Sequence, residues 1–190
     1  MDLVTRVKQI LTTPKTEWPV IEAENAPHIK VFTTYVVPLA LIPAIAAFIG
    51  YGLIGVHSFH SFGWGLRQAI TQYIAMAGGV YLSAFVINAL ADNFGAQKNF
   101  DKAFSLVAYA YTPMFVGGIF YIYYSLSALA GLAGLYGLYL LYIGLAPMMK
   151  QPADKTTSYF VVSLLVLVVV SILLSFVLAA VLIGSAFRYY

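Results

Sequence analysis

The 190-residue chain has no cysteine and very little charge. Without a thiol there is no disulfide, no thiolate metal site and no sulfur nucleophile. Asp, Glu, Lys and Arg make up 9% of the residues, against roughly 25% in a soluble domain. That deficit excludes a disordered chain, a nucleic-acid binder and an ordinary cytosolic enzyme. A formal charge of +3 rests on so few groups that it implies no polyanionic partner. What is present is apolar, at 62% of the residues. The composition reads as an all-α integral membrane protein, with the lipid bilayer as its first partner.

Uncharged runs place the spans. From Val31 up to Arg67 there is no Asp, Glu, Lys or Arg; Gln68 to Ala91 has none across 24 residues, Ala103 to Met149 none across 47, and Thr156 to Phe187 none across 32. A hydrocarbon core of about 30 Å needs roughly 20 helical residues. The first two runs each hold one span, the third holds two with a turn near Tyr123 to Ser127, and the last holds one. The expected spans are 31–56, 69–90, 104–123, 127–149 and 159–186. Membrane strands are excluded because the runs lack the alternation a barrel requires.

Lys and Arg set the orientation. Arg6, Lys8, Lys15, Lys30, Lys98, Lys102, Lys150 and Lys155 fall on one side, against Arg67 and Arg188 on the other. The expectation is a cytoplasmic N-terminus, an outward C-terminus and residence in the cell's inner (plasma) membrane. Residues 1–30 form a cytoplasmic tail ahead of a membrane domain over 31–190, and its at least seven charges fit no cleavable signal peptide. Leu3, Val4, Val7, Ile10 and Leu11 recur at helical spacing, with Asp2, Arg6, Lys8 and Gln9 opposite. That pattern predicts a short amphipathic helix lying on the leaflet and ended by Pro14, then a second from Pro19 to Asn25 with Trp18 at the interface.

Small residues predict the seams, since lipid supplies no hydrophobic drive between helices. They are Ala75, Gly79 and Ser83 on the second span, Ala130/Gly134 and Ala133/Gly137 on the fourth, and Ser163, Ser171 and Ser175 on the fifth. These faces serve intramolecular packing first, with a homo-oligomer as their second use. Pro38 and Pro43 should kink the first span and Pro113 the third.

Chemistry is sparse. No span carries an ionisable Asp, Glu, Lys or Arg, the usual flag of a pump or ion-coupled carrier. His57 and His60 have no acidic companion to complete a metal site, and His28 stands alone. No phosphate loop, HExxH or GxSxG occurs, and no span offers a base to activate a serine. The expectation is no enzyme, no cofactor and no metal. Polar groups do gather at a similar shallow cytoplasmic depth: Asn88 one turn inside Asp92, Tyr109 and Tyr111, Tyr139 and Tyr142, and Thr33, Thr34 and Tyr35. They read either as a pocket beneath the 92–102 connection or as an aromatic belt at the headgroups.

Several stretches carry a resemblance. Ile10-Leu-Thr-Thr-Pro14 precedes Glu17-Trp18-Pro19 and Ile21-Glu22; Asp92-Asn-Phe94-Gly95 precedes Phe100 and Ala108-Tyr109-Ala110-Tyr111-Thr112-Pro113; Leu135-Tyr136-Gly-Leu-Tyr139 runs on to Gly144-Leu145, and Lys155 opens the last helix. In order and spacing these resemble the Yip (Ypt-interacting protein) family, in its prokaryotic branch, over nearly the whole chain. The resemblance implies five transmembrane helices with a cytosolic N-terminus. Eukaryotic relatives act in vesicle traffic and bind small prenylated GTPases, but their Asp-Leu-Tyr-Gly-Pro motif and long cytosolic region are missing here.

The expected function is therefore non-enzymatic: binding or organising other membrane proteins or lipids at the cytoplasmic face. The candidate binding cluster is Trp18, Asn88, Asp92, Phe94, Gly95, Tyr109, Tyr111, Pro113 and Tyr139. The alternative is a channel or carrier for a neutral or weakly polar solute, lined by Asn88, Tyr109, Tyr111 and Tyr139.

Overall fold

The computed structural model describes residues 2–55, 61–169 and 172, and every regular element among them is helical. Helix α1 is Leu3–Thr12 and α2 is Pro14–Glu24. The first long helix, α3, is His28–Ile54. The second, α4, is Phe62–Leu90, prolonged by a 3-10 turn at Ala91–Phe94. The third crossing is divided into α5, Phe100–Ala110, and α6, Thr112–Gly117, followed by a 3-10 turn at Gly118–Ile122. The fourth is α7, Ser127–Met149, and residues 156–169 open a further helix, α8.

Four stretches are long and apolar enough to cross a bilayer: His28–Ile54, Phe62–Phe94, Phe100–Ile122 and Ser127–Met149, with mean hydropathy from 1.4 to 2.1. The expected fifth span, 159–186, falls mostly outside the described residues, as do His57, His60, Ser171, Ser175 and Arg188. The second helix starts at Phe62 rather than near 69, so Arg67 is helical rather than in a loop, with its guanidinium 5.7 Å from the Trp64 ring. The third starts at Phe100 because the Asn99 side chain caps it, accepting from the Lys102 amide at 3.1 Å.

The prolines leave distinct marks. In α3 the ladder widens to π-type turns at Phe32–Val36 and Ile49–Ile54, on either side of Pro38 and Pro43. Pro113 interrupts the third crossing. It cannot donate to the Tyr109 carbonyl four residues back, and the Thr112 hydroxyl takes that carbonyl instead, at 2.6 Å.

Small residues lie on internal seams. A Cβ on Gly137 would stand 2.8 Å from the Ala110 carbonyl oxygen, Gly117 backs onto Ala133, and Gly79 faces the Tyr111 ring. Ser83 shares a hydrogen bond of 2.9 Å with the Tyr111 hydroxyl. Ala75 is exposed and takes no part.

The tail departs most from expectation. The helices α1 and α2 form a hairpin against the bundle, with Ile10, Trp18 and Ile21 in the core, so protein covers these apolar side chains. The Tyr136 hydroxyl donates to the Leu11 carbonyl at 2.8 Å. Tyr136 is 13 residues before the Met149 end of α7, so the hairpin tip reaches roughly 20 Å along that helix. Pro14 ends α1 as expected, but it also opens α2, which therefore begins five residues before Pro19. Proline suits a first turn because its missing donor would be unpaired there anyway.

Candidate functional site

The hairpin brings charge into the apolar bundle. Leu3, Arg6, Val7 and Ile10 stand at i, i+3, i+4 and i+7, so Arg6 shares the inward face instead of the opposite one. It is 3% exposed. Its two terminal guanidinium nitrogens pair with Glu17 and Glu24 on α2, and its carbon lies 5.5 Å from the Tyr109 ring centre. With its amide nitrogen turned towards Glu17, Gln9 donates to that carboxylate at 3.2 Å. A buried ion pair must recover a desolvation cost of several kcal/mol per charge; the second carboxylate, the amide and the aromatic face contribute to that here.

Beneath this cluster runs a chain of hydroxyls. The Tyr35 and Tyr109 rings are 4.6 Å apart. Since Thr112 spends its proton on the Tyr109 carbonyl, Tyr35 is the donor in its 2.7 Å bond to the Thr112 oxygen. Trp18 is 1% exposed and fills the notch left by Gly144, where an added Cβ would come within 2.7 Å of its ring. It is thus a core anchor, not an interfacial residue. At the rim Glu22 meets Lys102 and Lys150, each at 3.1 Å. These hydrogen bonds, Lys102's first, hold its carboxyl below the usual range. His28 is not alone: its backbone amide donates to Asp101 at 2.7 Å, and its ring nitrogen lies 2.6 Å from the same oxygen.

A cavity of about 600 Å³ opens beside the hairpin. Asp2, Arg6, Glu24, Lys30, Tyr35 and Tyr109 are among its lining residues. A separate groove of about 530 Å³ between α4, α5, α6, α7 and α8 is almost wholly apolar, with Ser83 and Tyr111 on its wall.

The expected cluster therefore divides. Trp18, Tyr109 and, through Thr112, Pro113 belong to the hairpin site. Phe94 stacks on Tyr159 with ring centres 5.0 Å apart, Gly95 takes a left-handed turn (φ 66°) against Pro152, and exposed Asp92 pairs with Lys98 at 3.2 Å. Phe94 and Gly95 tie the connection after α4 to the segment around the start of α8, whereas the Asp92 pair stays within the connection. Asn88 is close by in sequence, and its buried side-chain oxygen has no partner among the described residues. Tyr111 faces the apolar groove, and Tyr139 is exposed, stacked on Tyr136. Thr33 and Thr34 are exposed and bond only to carbonyls of the preceding turn. Tyr142 lies outside the cavity, 3.3 Å from Thr157. Of the residues expected to line a carrier path, Tyr109 and Tyr111 line these two different cavities, and Asn88 and Tyr139 line neither of the two.

Arg6, Glu17, Glu24 and Lys30 went unrecognised in the sequence as site residues. Arg6's place among Leu3, Val7 and Ile10 was the available signal; its pairing across the hairpin had none. Among the described residues, no group of three or more His, Asp or Glu could hold a metal ion.

The inner membrane protein YohC of Escherichia coli K12 is 29% identical over 126 residues, covering 63% of this chain and 65% of that relative; the same protein from E. coli O6:H1 gives the same figures. The chain thus spans slightly under two thirds of the length of these relatives. No solved structure matches. The Yip1 domain model matches residues 8–176, from within the hairpin through the four described crossings and into the fifth expected span. This multi-pass membrane protein belongs to the Yip1 domain family.

Proposed function

We propose that the protein resides in the inner membrane with its hairpin end in the cytoplasm, and that it binds or organises other membrane proteins or lipids there without catalysing a reaction. The observation that carries this reading is the Arg6–Glu17–Glu24 cluster, sunk among the membrane helices beside an open polar cavity. Ionised groups at such a place are costly and are found where a membrane protein does its work. The orientation is supported by the way the lysine-bearing segments meet at one end. Lys102 and Lys150 share Glu22, and the Gln97 amide donates to the Met149 carbonyl at 2.8 Å. The relative's printed name supports the location.

Because the chain has no native cysteine, single cysteines report cleanly. A cysteine at Lys98 should react with an impermeant maleimide only after the cell membrane is opened, and one at Phe62 before. A photo-crosslinker at Asp92 should trap a reproducible membrane component that one at Phe62 does not. Labelling of Lys98→Cys in intact cells, or identical adducts from both ends, would overturn the proposal.

A further inference from the structure

The cavity beside the hairpin is unusual in holding uncompensated charges of both signs. Asp2 and Lys30 both line it, and neither forms an ion pair among the described residues; the Asp2 carboxylate only caps α1 through the Thr5 amide at 3.4 Å. Deeper in, Arg6 is occupied by Glu17 and Glu24. Tyr109 is 6% exposed, and its hydroxyl has no hydrogen-bond partner among the described residues although the side chain lines the cavity. That hydroxyl opens into the cavity and is free to donate to a ligand there. Its volume of about 600 Å³ is ample for a small polar group.

Charge selects the class of ligand. A purely anionic group would be drawn to Lys30 but would meet Asp2 and Glu24. A purely cationic group would meet Lys30 and Arg6. A molecule with an ammonium and a phosphate a few ångströms apart satisfies both sets. The surroundings suit an amphiphile: Val4 and Ile29, chain neighbours of the lining residues Leu3 and Lys30, are exposed apolar side chains.

We propose that this cavity binds a zwitterionic ammonium–phosphate headgroup, with the ammonium towards Asp2 and Glu24 and the phosphate towards Lys30. The inference deepens the lipid-binding half of the proposed function and rests on it. Its test uses a different surface from the Asp92 crosslink, so either can fail alone.

The full chain, purified from an equimolar mixture of phosphatidylethanolamine and phosphatidylglycerol, is examined for retained lipid by native mass spectrometry. The zwitterionic lipid should be enriched. Lys30→Gln should lower the total lipid retained about fivefold, on the scale of one exposed ion pair, with the preference kept because both headgroups carry the phosphate. Asp2→Asn should shift the preference towards phosphatidylglycerol, a change of sign that mere loosening of the hairpin would not produce. Unchanged melting and helical circular dichroism would show that both variants fold. Loss of bound lipid to millimolar glycerophosphoethanolamine would support the site with a soluble ligand as its source, and resistance to it would support a lipid source. Equal retention of the two lipids by the native chain, or the same preference in both variants, would overturn the proposal.

Discussion

The two ends of the bundle are built from different interactions. At the hairpin end, segments far apart in sequence are joined by charged side chains: Arg6 with Glu17 and Glu24, Glu22 with Lys102 and Lys150, and the Asp101 carboxylate with the backbone amide of His28. At the other end no ion pair occurs among the described residues, and contact is made by missing side chains. Gly50 lies against the carbonyls of Tyr121 and Ile122, Gly65 against Gly52, and Phe48 meets Phe62 edge-on at 5.3 Å. Glycine seams hold helices by close van der Waals approach, which works as well in lipid as anywhere. Ion pairs can exchange partners with water, headgroups or another protein. One end is thus closed packing, and the other is a surface that can trade contacts.

The sharpest way to break this contrast is to remove one charge from the hairpin end. Arg6→Met leaves Glu17 buried without its cation, which should cost about 3–5 kcal/mol. The melting temperature in detergent should fall steeply, and a cysteine placed at Leu11 should become reactive. The double variant Arg6→Met with Glu17→Met should recover most of the loss, since a pair replaced by apolar groups of similar size is often neutral. A double variant as unstable as the single one would mean that the pair itself holds the hairpin.

The opposite end should break in another way. A methyl group on Gly50 would collide with the Tyr121 carbonyl oxygen and approach that of Ile122 to 2.9 Å. Gly50→Ala should therefore cost about 1–3 kcal/mol through overpacking. The loss should be the same at low and high salt, and the cysteine at Leu11 should stay protected. Hairpin exposure in Gly50→Ala would join the two ends into one cooperative unit and dissolve the contrast.

These differences follow how far each feature could be read from sequence. The four described spans were legible to within several residues because hydrocarbon solvation acts residue by residue and needs no partner. The tail was misplaced because an amphipathic stripe does not say whether lipid or protein covers it. Arg6 was in view on the apolar stripe, but Glu17 stands 11 residues away on another helix, and Asp101 stands 73 residues from His28. Tyr109 and Tyr111 could have been separated at once, since residues two apart on a helix do not share a face. They serve different cavities for that reason. Phe94 and Gly95 stood out as candidate binding residues, yet their contacts with Tyr159 and Pro152 depend on where the chain runs after α7.

The smallest expected effect sharpens the contrast most finely. Glu22 joins the hairpin to α5 and to the end of α7 through Lys102 and Lys150, and its carboxyl is held below the ordinary value by those lysines. A carboxylate lowered on folding contributes its full stabilisation above its unfolded pKa, about 4.3, and loses it as pH falls through the lower folded value. The rim tie should therefore be unchanged from pH 7 to 5 and weaken only below the usual carboxylate range. With Trp64 replaced by phenylalanine, Trp18 is the only tryptophan left, and its emission reports the seating of α2. In that background the native chain should show an acid-side red shift, whereas Glu22→Gln should show a small shift already at neutral pH and less change on acidification. The same acid transition in both would assign it to the deeper Arg6 cluster, and the rim would then not contribute to holding the hairpin.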